Sequence, residues 1–191
     1  KIKKMINKFF KIINNRFSRL FKFIFFLRYL FVIFFVAMAL FLIIPQFFEY
    51  KNREGFISFF LSKNYGLELK EIKDIKYNSF PTPHLEISNI SANFFSSDVN
   101  LVSQRLTIYP KLLSIYNYDN FDVRKIILEN NQIELSFNNL PSLIKIFKIN
   151  KKLSFNNSNL NIKEDDKSII YFKKINFSNY GYNKNIINGE L

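Results

Sequence analysis

Residues Tyr29 to Phe48 form an uncharged, almost wholly apolar run of twenty, YLFVIFFVAMALFLIIPQFF, and all nine charges before it are positive. A helix rises about 1.5 Å per residue, so a run of this length just crosses a hydrocarbon core about 30 Å thick. Lys1, Lys3, Lys4, Lys8, Lys11, Arg16, Arg19, Lys22 and Arg28 precede it, and the first acid is Glu49. Basic residues beside a span stay on the cytoplasmic side. The pattern therefore predicts one transmembrane helix at residues 29–48, an N-terminus in the cytoplasm, and everything beyond about Tyr50 across the membrane.

The charge balance narrows the partners. Of 28 Lys+Arg, nine belong to this leader, and the other 19 stand against 15 Asp+Glu, so the rest of the chain carries +4 of the overall +13. A nucleic-acid-binding domain carries its positive charge on the folded part, which argues against nucleic acid and for the anionic headgroups of a phospholipid membrane. Ala37-Met38-Ala39 resembles a signal-peptidase site, but Leu40 to Ile44 beyond it is still apolar where cleavage needs a polar break. An uncleaved anchor is expected. Residues 1–28 read as a basic cytoplasmic segment. In it Ile2, Met5, Phe9, Ile13, Phe17 and Leu20 recur near helical spacing. That fits an amphipathic helix in the inner headgroup layer, and equally a basic tail that only satisfies the topology rule.

Past the membrane, residues 49–66 read as a juxtamembrane helix: Phe56, Ile57, Phe60 and Leu61 share one face, and Gly66 suits a left-handed stop. Residues 67–191 then change period to two. Leu67/Leu69, Leu85/Ile87, Leu106/Ile108, Phe121/Val123, Ile133/Leu135/Phe137, Leu153/Phe155, Leu160/Ile162 and Ile175/Phe177 alternate with polar residues, as half-buried strands do. Turn signals separate them at Asn78-Ser79, Pro81-Thr82-Pro83, Ser96-Ser97-Asp98, Asn117 to Asn120, Asn130-Asn131, Asn138-Asn139, Asn156-Asn157 and Glu164-Asp165-Asp166. The alternation slips by one at Ser88-Asn89 and at Arg124-Lys125, which predicts bulges. Pro110 to Ile115 and Pro141 to Phe147 read as short helical breaks.

The expected fold is mainly β: an N-terminal transmembrane helix followed by a curved antiparallel sheet with short helices. A sheet with one apolar face must close, stack or hold something. Few helices are available to cover eight or more strands, so an open, taco-like groove is one outcome and a closed core the other.

The ordered set of an N-terminal span, a helix ending in Tyr65-Gly66, a strand Leu67 to Lys70, and Phe80-Pro81-Thr82-Pro83-His84-Leu85-Glu86-Ile87-Ser88-Asn89-Ile90 resembles the opening of the AsmA-like family. Leu106-Thr107-Ile108-Tyr109-Pro110-Lys111-Leu112-Leu113-Ser114 resembles its next strand and leucine-leucine turn, and Val123 to Leu135 its next hairpin. The likeness covers residues 22 to 140, and more loosely Leu153 to Leu191, where Asn188-Gly189-Glu190-Leu191 looks like a strand beginning. Asn130-Asn131 departs from it, since related chains often place Pro in that hairpin. The resemblance implies the N-terminal part of a longer bacterial inner-membrane protein with a periplasmic β-groove, linked to outer-membrane biogenesis and phospholipid movement. Inward residues Leu67, Leu69, Leu85, Ile87, Leu106, Ile108, Val123, Ile126, Leu128, Ile133 and Leu135 are the lipid-groove candidates, with a closed protein core as the alternative for each.

Catalysis finds no support in the residues. Cysteine is absent, which removes thiolate and zinc-thiolate chemistry. His84, the one histidine, stands between Pro83 and Leu85 as a loop residue without clustered partners. The four glycines are too far apart for a phosphate loop. Glu164-Asp165-Asp166 lacks the spaced acids of a calcium loop. Asn89, Asn156 and Asn176 begin Asn-x-Ser sequons, expected by chance in an Asn-rich chain. No enzyme, cofactor or metal is expected. Two functions remain: a lipid-handling or envelope-biogenesis protein, or a membrane-anchored closed β-domain that binds other envelope proteins through a strand edge.

Overall fold

The computed structural model describes residues 2–72, 74–95, 99–165, 167–181 and 184–190. The expected turn at Ser96-Ser97-Asp98, the acid Asp166 and the last residue Leu191 lie outside the described residues. The chain divides into two units, Lys1–Ile44 and Pro45–Leu191.

In the first unit, helix α1 spans Ile2–Arg16 and helix α2 spans Ser18–Ile43. Met5, Ile6, Phe10 and Ile12 are exposed on α1 beside Lys3, Lys4, Lys8 and Lys11. At about 100° per residue the two sets fall on opposite arcs, so α1 is amphipathic along its length. Helix α2 begins before the apolar run at residue 29 and has no buried residue. With its short 3-10 extension it forms a 30-residue helix, Ser18–Phe47, long and apolar enough to cross a membrane.

The second unit opens with a 3-10 turn, Tyr50–Arg53, and helix α3, Glu54–Tyr65. Gly66 ends α3 in the left-handed conformation, φ 65°, as expected of a glycine stop. A Cβ there would collide with the Phe95 ring, so the position requires glycine twice over. Ile57, Phe60, Leu61 and Tyr65 form the buried face of α3, while Phe56 turns outward instead of joining it.

Eight strands follow: β1 Leu67–Glu71, β2 Ile75–Asn78, β3 His84–Phe94, β4 Val99–Pro110, β5 Val123–Ser136, β6 Lys152–Glu164, β7 Lys167–Asn179 and β8 Asn185–Glu190. They form one curved, unclosed sheet in the order β1-β3-β4-β5-β6-β7-β8, with β2 beside β1 on the β3 edge. All pairs are antiparallel except β5 with β6. That parallel pair departs from the expected all-antiparallel meander. Helix α4, Leu140–Phe147, carries the chain from the end of β5 to the start of β6, and a crossover is what parallel neighbours need.

Asn130-Asn131 and Asn156-Asn157, hairpin turns by their sequence, lie inside unbroken strands. Val123 to Leu135 is accordingly one long strand and not a hairpin. Asn130 and Asn157 take left-handed φ of 53° and 51°, a conformation that asparagine tolerates in turns and bulges alike. They belong to a line of insertions that crosses the sheet. Asn89 and Gln104 are skipped between Ser88↔Arg105 and Ile90↔Ser103. Gln104 and Asn130 are skipped between Arg105↔Glu129 and Ser103↔Asn131. Asn130 and Asn157 are skipped between Glu129↔Asn156 and Asn131↔Ser158. On β7, Lys174 continues the line with φ 51°. Each insertion flips the alternation, so Leu85 and Ile87 face inward before it and Ile90, Ala92 and Phe94 after it.

Side chains satisfy the groups that this crease frees from the ladder. On the inner face Ser103 Oγ donates to the Arg105 and Glu129 carbonyls at 3.0 and 3.1 Å. Asn131 Nδ2 donates to Ser158 Oγ at 2.8 Å and to the Leu128 carbonyl at 3.0 Å. On the outer face Asn157 Nδ2 donates to Asn130 Oδ1 at 2.6 Å, and Asn130 Nδ2 to Gln104 Oε1 at 2.9 Å. The result is a sheet bent across its strands. Phe94 and Phe155 lie three strands and about seven residues apart, roughly 27 Å in a flat sheet. Their ring centroids are 5.9 Å apart.

A charged knot fixes one end. Lys111 and Lys151 reach the two oxygens of Asp122 at 2.6 and 2.7 Å, and the Val123 N–H donates to the same carboxylate at 2.9 Å. Burial pushes the Asp122 carboxyl up, but the hydrogen bonds from Lys111, Lys151 and Val123 outweigh it and bring it to about 2. The knot ties the β4–β5 linker to the start of β6.

Two consequences are testable on the full chain in detergent. Asn130→Val, which forces a β-branched residue into left-handed backbone, lowers stability by about 1–3 kcal/mol in urea titration, and Asn130→Gly lowers it less. Equal effects of the two would mean that the backbone conformation there sets nothing. Because the folded Asp122 titrates near 2 against an ordinary 3.8, its contribution is complete above about pH 4 and is lost as the pH falls toward 2. Asp122→Asn should flatten the fall of the thermal midpoint across that window.

Candidate functional site

The expected groove residues divide unevenly. Leu67, Leu85, Ile87, Leu106, Ile108, Ile126 and Leu128 have no exposed surface, Val123 and Leu135 nearly none, and Leu69 packs half-buried against them. These ten lie in one closed core with the buried face of α3 and with Ile115 of the 3-10 turn Leu112–Ile115. The Phe60 ring meets Phe121 edge-on at 5.3 Å and helps to shut it. Ile133, the eleventh, lines open space.

That space is an apolar cleft of about 340 Å³ between α4 and the inner face of β6 to β8. Helix α4 starts with Pro141 in its first turn and turns Leu143, Ile146 and Phe147 toward the cleft, spaced i, i+3, i+4. Phe155 and Leu160 come from β6, Phe172, Ile175 and Phe177 from β7, and Ile187 from β8. Phe177 sits between Phe147 and Phe155, with ring centroids 5.0 and 5.9 Å away. The crease passes through the floor at Ser158, Ile175 and Gly189. A Cβ at Gly189 would stand 3.3 Å from Ile175 Cγ1, so glycine keeps that part of the floor low.

The roof is pinned at one end. Asn179, almost fully buried, donates from Nδ2 to the Ile149 carbonyl at 2.7 Å and the Phe147 carbonyl at 3.3 Å, while its Oδ1 accepts from the Gly181 N–H at 2.7 Å. Asn185 Nδ2 adds a second bond to the Phe147 carbonyl at 3.2 Å. These bonds satisfy carbonyls at the C-terminus of α4 that the helix itself leaves open. No helix lies beyond α4 among the described residues, so Ile187 is more than half exposed at the unpaired edge of the sheet.

The lining carries no ionisable group, and its single polar side chain, Ser158, already accepts from Asn131. His84 is occupied elsewhere: Nδ1 lies 2.8 Å from the Thr82 carbonyl, Nε2 3.3 Å from Asn78 Nδ2, and its ring against Tyr109. Among the described residues no group of three His, Asp or Glu is placed to hold a metal ion. What the cleft can do chemically is exclude water and accept hydrocarbon.

Sequence reasoning reached Ile133 and missed the rest of the lining. The strands Phe155, Leu160, Ile175 and Phe177 were legible as alternating and α4 as one-sided. The signal for the site, read within these residues, is a single short one-sided helix beside two long alternating strands. Neither a protein-family model nor a curated protein matches this chain.

Truncating Asn179 to Ala removes a buried donor and should cost about 1–3 kcal/mol. Its specific mark is faster hydrogen exchange over residues 143–149, with β4 and β5 unchanged. Uniform acceleration would mean that Asn179 supports the whole domain and not the roof of the cleft.

Proposed function

We propose that this chain is a membrane-anchored envelope-biogenesis protein of the AsmA-like type, holding phospholipid acyl chains in the cleft between α4 and β6 to β8. On this reading Ser18–Phe47 crosses the bacterial inner membrane, α1 lies on the cytoplasmic side and the β-domain stands in the periplasm. The observation that carries it is an open cleft lined by ten hydrocarbon side chains, Ser158 and Gly189. Each methylene moved out of water is worth about 0.8 kcal/mol, so a ten-carbon stretch of acyl chain gains roughly 8 kcal/mol there. The volume sits at the lower end of ligand sites and suits part of one chain, with the open side at β8 free for the remainder. No cofactor or chemistry is needed.

A second reading has its own support. Ten of the eleven expected groove positions are core, and among the described residues β8 stands at the edge of the sheet with Ile186 and Ile187 exposed. An envelope protein that adds a strand to that edge would make this a scaffold.

Photo-crosslinking in cells separates the two. A photoreactive residue at Leu143, Phe172 or Ile187 in the full chain should capture phospholipid, and one at outward Glu86 or Glu134 should not. Crosslinks to protein alone from the cleft positions would overturn the lipid reading and favour the scaffold.

A further inference from the structure

The apolar helix ends at Phe47, and Phe47 is also the first of several large apolar side chains left in solvent at one end of the β-domain. Phe47 is 81% exposed, Phe80 in the β2–β3 loop 85%, and Leu113 in the β4–β5 linker 76%. Leu112 and Tyr116 are each more than a third exposed. The three segments are far apart in sequence but locked together. Gln46 Nε2 donates to Ser79 Oγ at 3.2 Å. The Phe48 ring meets Tyr116 edge-on at 5.6 Å. Arg53 Nη1 donates to the Ile115 carbonyl at 3.3 Å while its guanidinium stacks 4.5 Å above Phe48. The β2–β3 loop and the end of β4 meet at the same end of the sheet, where His84 pairs with Asn78 and packs on Tyr109.

Exposed single hydrophobics are ordinary, but several converging loop tips with nothing to bury are a contact surface. Two features select its occupant. The surface begins at the residue where an apolar helix long enough to span the bilayer stops, so it lies where such a helix reaches the membrane–water interface. Its composition, aromatic and leucine tips with a tyrosine, is that of an interfacial belt, with apolar ends inward and polar ends in the headgroups. We propose that Phe47, Phe80, Leu112, Leu113 and Tyr116 form a lipid-docking surface that seats this end of the β-domain on the bilayer. The proposal rests on the reading that Ser18–Phe47 spans the membrane, and is independent of what fills the cleft.

The chain contains no tryptophan, so single tryptophans report without background. Full chains carrying Leu113→Trp, Phe80→Trp, Phe35→Trp or Phe137→Trp are reconstituted into phosphatidylcholine–phosphatidylglycerol vesicles with and without brominated acyl chains. Phe137, exposed beyond the far end of β5, is the solvent reference, and Phe35 reports the span. Expected are blue-shifted emission and bromolipid quenching at positions 113 and 80, stronger quenching at 35, and none at 137. Quenching at 35 with water-like, unquenched emission at both 113 and 80 overturns the docking surface and leaves a protein-binding patch. Absence of quenching at 35 overturns the span and this proposal with it.

Discussion

Asn89, Asn130, Asn157 and Lys174 each add one residue of left-handed backbone, in a line that runs across the strands. A single bulge bends one strand; insertions aligned across neighbouring strands bend the whole sheet. The line also carries a polar seam, with the Gln104, Asn130 and Asn157 amides bonded in series outside, and inside Ser103 and Asn131 donating to ladder carbonyls while Ser158 accepts from Asn131. Everything else in the β-domain depends on this bend, because only a folded sheet lets Phe94 touch Phe155.

Once bent, the inner face has more area than the helices can cover. Helix α3 and the 3-10 turn at Leu112–Ile115 seal β1 to β5, where Leu67, Leu85, Leu101, Leu106 and Ile126 have no exposed surface. Helix α4 covers β6 and part of β7, and the face continues past it to β8, the edge strand among the described residues. One sheet thus carries a closed core on one side and an open apolar cleft on the other. Ten of the eleven candidate positions stand in the core, and the open apolar space lies mainly at later strands.

The sequence was informative wherever one local signal had one structural meaning. The glycine stop at Gly66, the slips at Ser88-Asn89 and Arg124-Lys125, and the proline-started α4 stand where the residues place them, the apolar helix starts eleven residues earlier than its uncharged run, and the mainly β, curved architecture follows from the period-two pattern. Asn130-Asn131 and Asn156-Asn157 misled because asparagine takes left-handed backbone at a hairpin turn and at a bulge alike, and only long-range pairing distinguishes them. The parallel β5–β6 pair follows from the same ambiguity and from α4 acting as a crossover. The cleft was hard to see because alternation is identical for covered and uncovered strands.

Hydroxyl-radical footprinting of the full chain freed of phospholipid, read residue by residue by mass spectrometry, tests the half-closed, half-open face most directly. Phe172, Ile175 and Ile187 should be oxidised and Leu85, Ile87, Leu106 and Ile108 protected. Equal oxidation of the two sets would contradict the closed core, and equal protection would contradict the open cleft.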